Sequence, residues 1–241
     1  MMDWTDRHCR YFHRTLSKNT LLYTEMVTSP ALIKGNATHL LEFDKSEHPV
    51  ALQLGGSDPI ELAKAAVIGS KYGYDEINLN VGCPSDRVQS GTFGAVLMKT
   101  PEVVAKCCKE MIDAVDTEVT VKCRVGVDQQ NPDVTLPKFL EHISNAGVTR
   151  VIIHARKAIL SGLSPKQNRN VPPLNYELVY KIGKNIDNSK LYTFKESSFI
   201  DFDQSDLLAF ERESDVVIEN LITKGLRNME FMLSTQSNEI K

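Results

Sequence analysis

Cys83 lies in Asn80-Val81-Gly82-Cys83-Pro84-Ser85, just past a run rich in strand-forming residues. Gly82 and Pro84 predict a tight turn that would present the thiol at the end of that strand. A thiol with a pKa of about 8.5 is mostly protonated at neutral pH. It can give a proton to a carbanion or, once ionised, attack as a nucleophile. The plainer reading is a small buried hydrophobe, as most lone cysteines are. Lys122 follows Val119-Thr120-Val121 and His154 follows Val151-Ile152-Ile153, so a cation and an imidazole end successive apolar runs. Such a pair could bind an anionic or electron-rich ring; a salt-bridged strand end and a hydrogen-bonded histidine are the structural alternatives. Gln53, before Gly55-Gly56, could meet a heterocycle edge as both donor and acceptor, or could orient a loop. Ser164-Pro165-Lys166-Gln167-Asn168-Arg169 is a polar loop with two cations, suited to phosphate contacts or to plain solvation. His8, His13, Trp4 and the Asp6-Arg7 pair carry weaker claims.

The elements that must position these groups alternate in type. Strand-like runs cover Leu21–Val27, Val50–Gly55, Glu76–Gly82, Val119–Arg124 and Arg150–Arg156, and their starts lie 26 to 43 residues apart. That leaves room for a crossover helix between parallel strands. Asp58-Pro59-Ile60-Glu61 offers an N-cap, a proline at the first helical position and an acid in the first turn. Thr100-Pro101 repeats the cap-then-proline signal, and Val104, Cys107, Cys108, Met111 and Val115 then fall on one helical face. Alternation of this kind predicts an α/β fold, either an open doubly wound sheet or a (β/α) barrel. Polar residues at nearly every strand end (Glu25, Gln53, Asn78 and Asn80, Lys122 and Arg124, His154 and Arg156) favour the barrel, whose enzymes gather catalytic groups there. No Gly-x-Gly-x-x-Gly turn argues for the alternative.

Composition bounds the partners. The 241 residues are 41% hydrophobic and 24% charged with a net charge of −3, which fits a globular chain and excludes a generally basic nucleic-acid coat. No run is apolar enough to span a bilayer, and the charged start predicts no signal peptide, so no membrane partner is expected. Five cysteines without a Cys-x-x-Cys or Cys/His ligand spacing predict neither disulfides nor a metal site, and a cytoplasmic location. The composition breaks near residue 185. All ten prolines precede it, and residues 186–241 carry a net charge of −5, leaving +2 for residues 1–185.

The segments DWTDRHCRYF, LLYTEMV, HPVALQLGGSDP, GYDEINLNVGCPSDRVQSGTFGAVLM, VTVKCRVG and IIHARKAILSGLSPKQNRNVPPLNY together resemble the tRNA-dihydrouridine synthases. The nearest resemblance is to the A-type subfamily, which acts on uridines 20 and 20a of the tRNA D-loop. It covers roughly residues 1–182. It implies an FMN-dependent (β/α)8 TIM-barrel enzyme that uses NADPH to reduce a uridine C5=C6 bond, with tRNA as its partner. Carried over by position, Cys83 is the proton donor. Met1, Gln53, Lys122 and His154 contact the flavin, Asn80 meets the target uridine, and Lys166 and Arg169 contact tRNA.

Departures from the family pattern set further expectations. Met1 stands where the family's first strand ends, so that strand is not recognisable. The two strands that bind the FMN phosphate are not recognisable after Tyr180, and neither is the helical RNA-binding domain. The expected organisation is an incomplete flavin-binding barrel over residues 1–185 and a divergent acidic tail over 186–241. KLYTFK, within that tail, could cover one sheet edge. The rival expectations are a non-catalytic or unstable remnant that at most binds RNA weakly and, from another class of FMN barrel, a dihydroorotate dehydrogenase.

Overall fold

The computed structural model describes residues 5–35, 37–85, 88, 91–185 and 193–196. Its core is one parallel sheet with six strands in sequential order. They are β1 (Leu22–Thr28), β2 (Val50–Gly55), β3 (Glu76–Val81), β4 (Glu118–Arg124), β5 (Arg150–His154) and β6 (Thr193–Glu196). Each strand pairs only with its sequence neighbours, all in parallel. A doubly wound sheet reverses its strand order at a switch point. This one advances in a single sense, as an incomplete (β/α)8 barrel does.

Four helices cover or flank the strands early in the chain and in its middle: α1 (Arg7–Leu16), α2 (Ser29–Ile33), α3 (Pro59–Lys71) and α4 (Pro101–Ala114). Then come α5 (Pro132–Asn145), the single turn α6 (Gln167–Asn170) and α7 (Tyr176–Asn185). Local signals place them. The Asp58 carboxylate accepts from the Glu61 amide at 2.8 Å at the head of α3. Pro101 opens α4, although the Thr100 side chain makes no cap bond there. Val104, Cys107, Cys108 and Met111 of α4 are all fully buried, as their spacing predicts.

The two sides of the sheet differ in chemistry. Leu52, Leu54, Ile77, Leu79, Val81, Val121, Val151 and Ile153 belong to the apolar core together with Leu62, Ala66 and Met111 of the helices. Burying each large aliphatic side chain contributes about 1.5–3 kcal/mol. At Gly69 of α3 an added Cβ would lie 2.4 Å from Leu52 Cδ2, so helix and sheet approach closely there. The alternate strand positions carry Gln53, Glu76, Asn78, Thr120 and Arg124, and these polar residues are as buried as the core. Period-2 alternation thus sorts an apolar layer toward the helices from a polar one on the concave side.

At the N-terminal ends of the strands Glu76 accepts from the Tyr23 hydroxyl at 2.8 Å and from Thr120, and pairs with Arg150, which also binds Glu118. A second buried pair, Arg10 to Glu47, ties α1 to the segment before β2. Residues 186–192 and 197–241 lie outside the described residues, as does Met1. Within the tail, Thr193–Glu196 pairs with the β5 edge; the rest of KLYTFK lies outside the described residues. Among the described residues no helix is long and apolar enough to cross a membrane.

Candidate active site

The C-terminal ends of β2 to β5 bring the predicted groups together. Register pairs Gln53 with Asn78, Asn80 with Lys122 and Arg124 with His154, so these side chains share one end of the sheet. Cys83 follows β3 directly and is partly exposed, with a free thiol.

The turn that carries Cys83 has a different origin from the one expected. Gly82 keeps an ordinary backbone conformation, and a Cβ added to it would meet only normal contacts at 3.6 Å or more. The turn is built instead by Asn80, whose Oδ1 accepts from the Gly82 and Cys83 amides at 3.0 Å each. A side chain bonding the backbone two residues on is the standard way asparagine makes a turn. The glycine that the geometry requires is Gly94. Its φ is +73°, and a Cβ there would lie 2.4 Å from Val88 Cγ1 and 2.7 Å from the Cys83 carbonyl oxygen. That carbonyl accepts from the Ala95 amide at 2.9 Å, which fastens the following segment over the thiol. The Cys83 Sγ lies 3.5 Å from Ser85 Oγ.

Gln53 is buried, and its amide bridges two asparagines: Nε2 donates to Asn78 Oδ1 at 3.0 Å and Oε1 accepts from Asn80 Nδ2 at 2.8 Å. An amide has two N–H donors and two oxygen lone pairs. Gln53 therefore retains one N–H and one lone pair, and Asn80 one N–H, uncommitted among the described residues.

Lys122 makes no hydrogen bond or ion pair among the described residues. Burial, followed by the nearby Arg124, pulls its pKa down to about 8. Burial also lowers His154 to about 3, with Arg124, Lys122, Arg156 and Arg169 all acting in the same direction. His154 is a neutral imidazole at physiological pH. Lys122, Arg124, Arg156 and Arg169 all act on His154, so positive charge gathers at this end of the sheet.

Lys166 and Arg169 are exposed, on a segment that is not the plain loop expected but folds into the turn α6. Its anchor is Asn168, fully buried between them. Asn168 Oδ1 accepts from the Ile159 amide at 2.7 Å, and Nδ2 donates to the Ile159 and Leu163 carbonyls at 2.9 and 3.1 Å. Arg124 completes the frame, with Nε 3.2 Å from the Gly82 carbonyl and Nη1 2.9 Å from that of Asn168. The sequence reading named Arg124 among the polar strand-end residues and Asn168 within the polar loop, but gave neither an individual role, and the bond between them was not foreseen. A cleft of about 390 Å³ adjoins this frame, walled by Val125, Ile159, Leu163, Val171 and Pro172 with Lys157 at its side. No group of three or more His, Cys, Asp and Glu side chains able to hold a metal occurs among the described residues.

The sequence profile of the family described as dihydrouridine synthase (Dus) matches residues 1–191. Curated relatives share this span. A tRNA-dihydrouridine(20/20a) synthase of Synechocystis is 58% identical over 184 residues, covering 76% of this chain and 55% of the relative. One of Escherichia coli O6:H1 is 59% identical over 183 residues, with 76% and 55% covered. One of Xanthomonas axonopodis is 55% identical over 182 residues, with 76% and 54% covered. The chain spans about half the length of the curated relatives it matches. With that match running unbroken through every strand end that carries the candidate groups, the chain belongs to the dihydrouridine synthase family.

Proposed function

We propose that this chain carries the catalytic half of a tRNA-dihydrouridine(20/20a) synthase, a reductase of the C5=C6 bond of D-loop uridines in tRNA, working with FMN and NADPH. The observation that carries the reading is the gathering of Gln53, Asn80, Cys83, Lys122 and His154 at the C-terminal ends of neighbouring strands, with the thiol partly exposed there.

The donor set suits a flavin. Among the described residues Gln53 keeps an uncommitted N–H and lone pair and Lys122 has no partner, and burial keeps His154 neutral. These three residues would hold the ring, and Met1 is assigned beside it by the family resemblance alone. FMN held there and reduced by NADPH would supply a hydride to C6 of the uracil, leaving the electron pair of the C5=C6 bond on C5 and the adjacent carbonyl. Cys83 donates its thiol proton to C5, which completes the addition of two hydrogens and leaves a thiolate to be reprotonated from solvent. Asn80 has one N–H left with which to meet the uracil edge. A base inside a folded tRNA must swing out of its stack to reach such a site. Lys166 and Arg169 stand outside it, exposed, to meet the RNA backbone.

The full chain, incubated with FMN, NADPH and unmodified tRNA, is expected to yield dihydrouridine at the D-loop, read by mass spectrometry of nuclease digests. Oxidation of NADPH with no dihydrouridine formed would refute the tRNA reading and leave only a flavin reductase. The hydrogen-bonded frame that joins Gln53, Asn78, Asn80 and the Cys83 turn favours the catalytic reading over the remnant one.

A further inference from the structure

The polar side of the sheet holds a chain of hydrogen bonds that all point the same way. The Gly82 and Cys83 amides donate to Asn80 Oδ1, each at 3.0 Å. Asn80 Nδ2 donates to Gln53 Oε1 at 2.8 Å, and Gln53 Nε2 to Asn78 Oδ1 at 3.0 Å. Asn78 Nδ2 donates to Thr120 Oγ1 at 2.8 Å, and the Thr120 hydroxyl donates to Glu76. Asn78 and Thr120 are fully buried, and Glu76 and Gln53 nearly so.

Both ends fix the direction. A peptide N–H can only donate. Glu76 is paired with Arg150 and takes the Tyr23 hydroxyl as well, so it stands as the acceptor. Between these ends each amide has only one workable orientation. Turning any one of them over would set donor against donor on one side and acceptor against acceptor on the other. A buried mismatch of that kind costs the full desolvation of the groups left unpaired.

We propose that Thr120 and Asn78, which lie below the strand ends, are positioning residues for the proton donor. Through Gln53 and Asn80 they set the amide orientation that builds the Cys83 turn. The same orientation decides which N–H groups of Gln53 and Asn80 remain for a ligand. Glu76 and Arg150 at the opposite end of the sheet are the anchor. The proposal rests on Cys83 being the acid, but its test uses no flavin, NADPH or tRNA, so its failure and the failure of that assignment read out separately.

Thr120→Val removes the hydroxyl at nearly constant volume, and Thr120→Ser keeps it. The readout is the initial rate of iodoacetamide alkylation at Cys83 in the full chain at fixed pH, followed by peptide mass spectrometry. Cys9 on α1 serves as the internal reference, since Cys107, Cys108 and Cys123 are buried. Thr120→Val is expected to alkylate Cys83 roughly threefold to tenfold faster, the scale of one lost hydrogen bond. Cys9 should be unchanged, and Thr120→Ser should match wild type. An unchanged Cys83 rate in the valine variant, or an equal rise at Cys9, overturns the proposal. If the valine variant does not fold, hydrogen exchange in the native chain decides. Gly82 and Cys83 amides protected like those of β3 support the relay, and exchange at free-peptide rates overturns it.

Discussion

Arg124 and Asn168, one on β4 and the other between the two cations of α6, are joined by a 2.9 Å hydrogen bond from guanidinium to backbone carbonyl. The same guanidinium reaches Gly82, next to Cys83, at 3.2 Å. The turn bearing the thiol and the segment bearing Lys166 and Arg169 are therefore held by one buried side chain. Arg124→Leu should leave the Gly82, Lys157 and Asn168 carbonyls without this donor and cost about 1–3 kcal/mol in denaturant unfolding. Amides 164–170 should exchange faster. Arg124→Lys should recover little, because an ammonium cannot supply the fork that meets separated carbonyls. A leucine variant with an unchanged unfolding midpoint would show that the two segments hold themselves.

If Cys83 is the acid, Cys83→Ala should slow uridine reduction by roughly 10²–10⁴-fold, the usual scale of general acid catalysis. Reduction of the flavin by NADPH does not use that proton and should be nearly unaffected. The two half-reactions are separable by stopped-flow. Equal slowing of both would point to a damaged flavin site rather than a missing proton.

His154 makes the folded chain sensitive to acid. In the unfolded chain its imidazole takes up a proton near pH 6.5. In the folded chain burial, reinforced by Arg124, Lys122, Arg156 and Arg169, holds the pKa at about 3. Between those values the unfolded chain binds more protons. The contribution to stability is thus complete above about pH 6.5 and declines steadily from there toward pH 3. His154→Asn should flatten this part of the acid limb, measured as the denaturation midpoint from pH 7 to pH 4. Parallel limbs in the two proteins would mean that His154 is charged in the fold.

Much of this architecture is legible in the sequence because its signals are local. The runs at Val50–Gly55, Glu76–Val81 and Arg150–His154 are short, β-branched and bounded by turn residues, and they form strands. Asp58-Pro59 caps a helix by chemistry confined to four residues. The candidate groups Gln53, Asn80, Cys83, Lys122 and His154 were visible as polar residues ending apolar runs. Their connection was not. Asn78 was noted only as one polar residue near a strand end and Thr120 not at all, and only the register that sets Gln53, Asn78 and Thr120 side by side turns them into a relay. Gly82 misled for the converse reason. Its type suggested a demanding backbone, whereas the demand falls on Gly94, twelve residues on, where another segment packs against the turn. Arg124 and Asn168 act across 44 residues of chain, a separation that no local pattern encodes.

RNA binding should depend on salt in a way that counts the cations at the site. The chain carries a net charge of −3, so there is no general attraction for a polyanion. The cations proposed to meet a tRNA backbone are the exposed Lys166 and Arg169, with Lys157 beside the neighbouring cleft. Each neutralised phosphate releases condensed counterions and contributes somewhat less than one unit to the slope of log affinity against log salt. About three such contacts give a slope of roughly −2 to −3. Lys166→Ala should make it shallower by about one unit while weakening all tRNAs alike, since a phosphate contact carries no sequence information. Recognition of the uridine itself is a separate term, because the remaining Asn80 N–H can read the uracil edge only once the base is stacked in the site. With FMN bound, unmodified tRNA should bind more tightly than the same tRNA already reduced at the D-loop, whose saturated ring is no longer flat. Without FMN the two should bind equally. Fluorescence anisotropy over a salt series, with both tRNAs and with or without FMN, measures both terms. A slope near zero would remove Lys166 and Arg169 from the interface, and discrimination that persists without FMN would place the reading of the base on the protein alone.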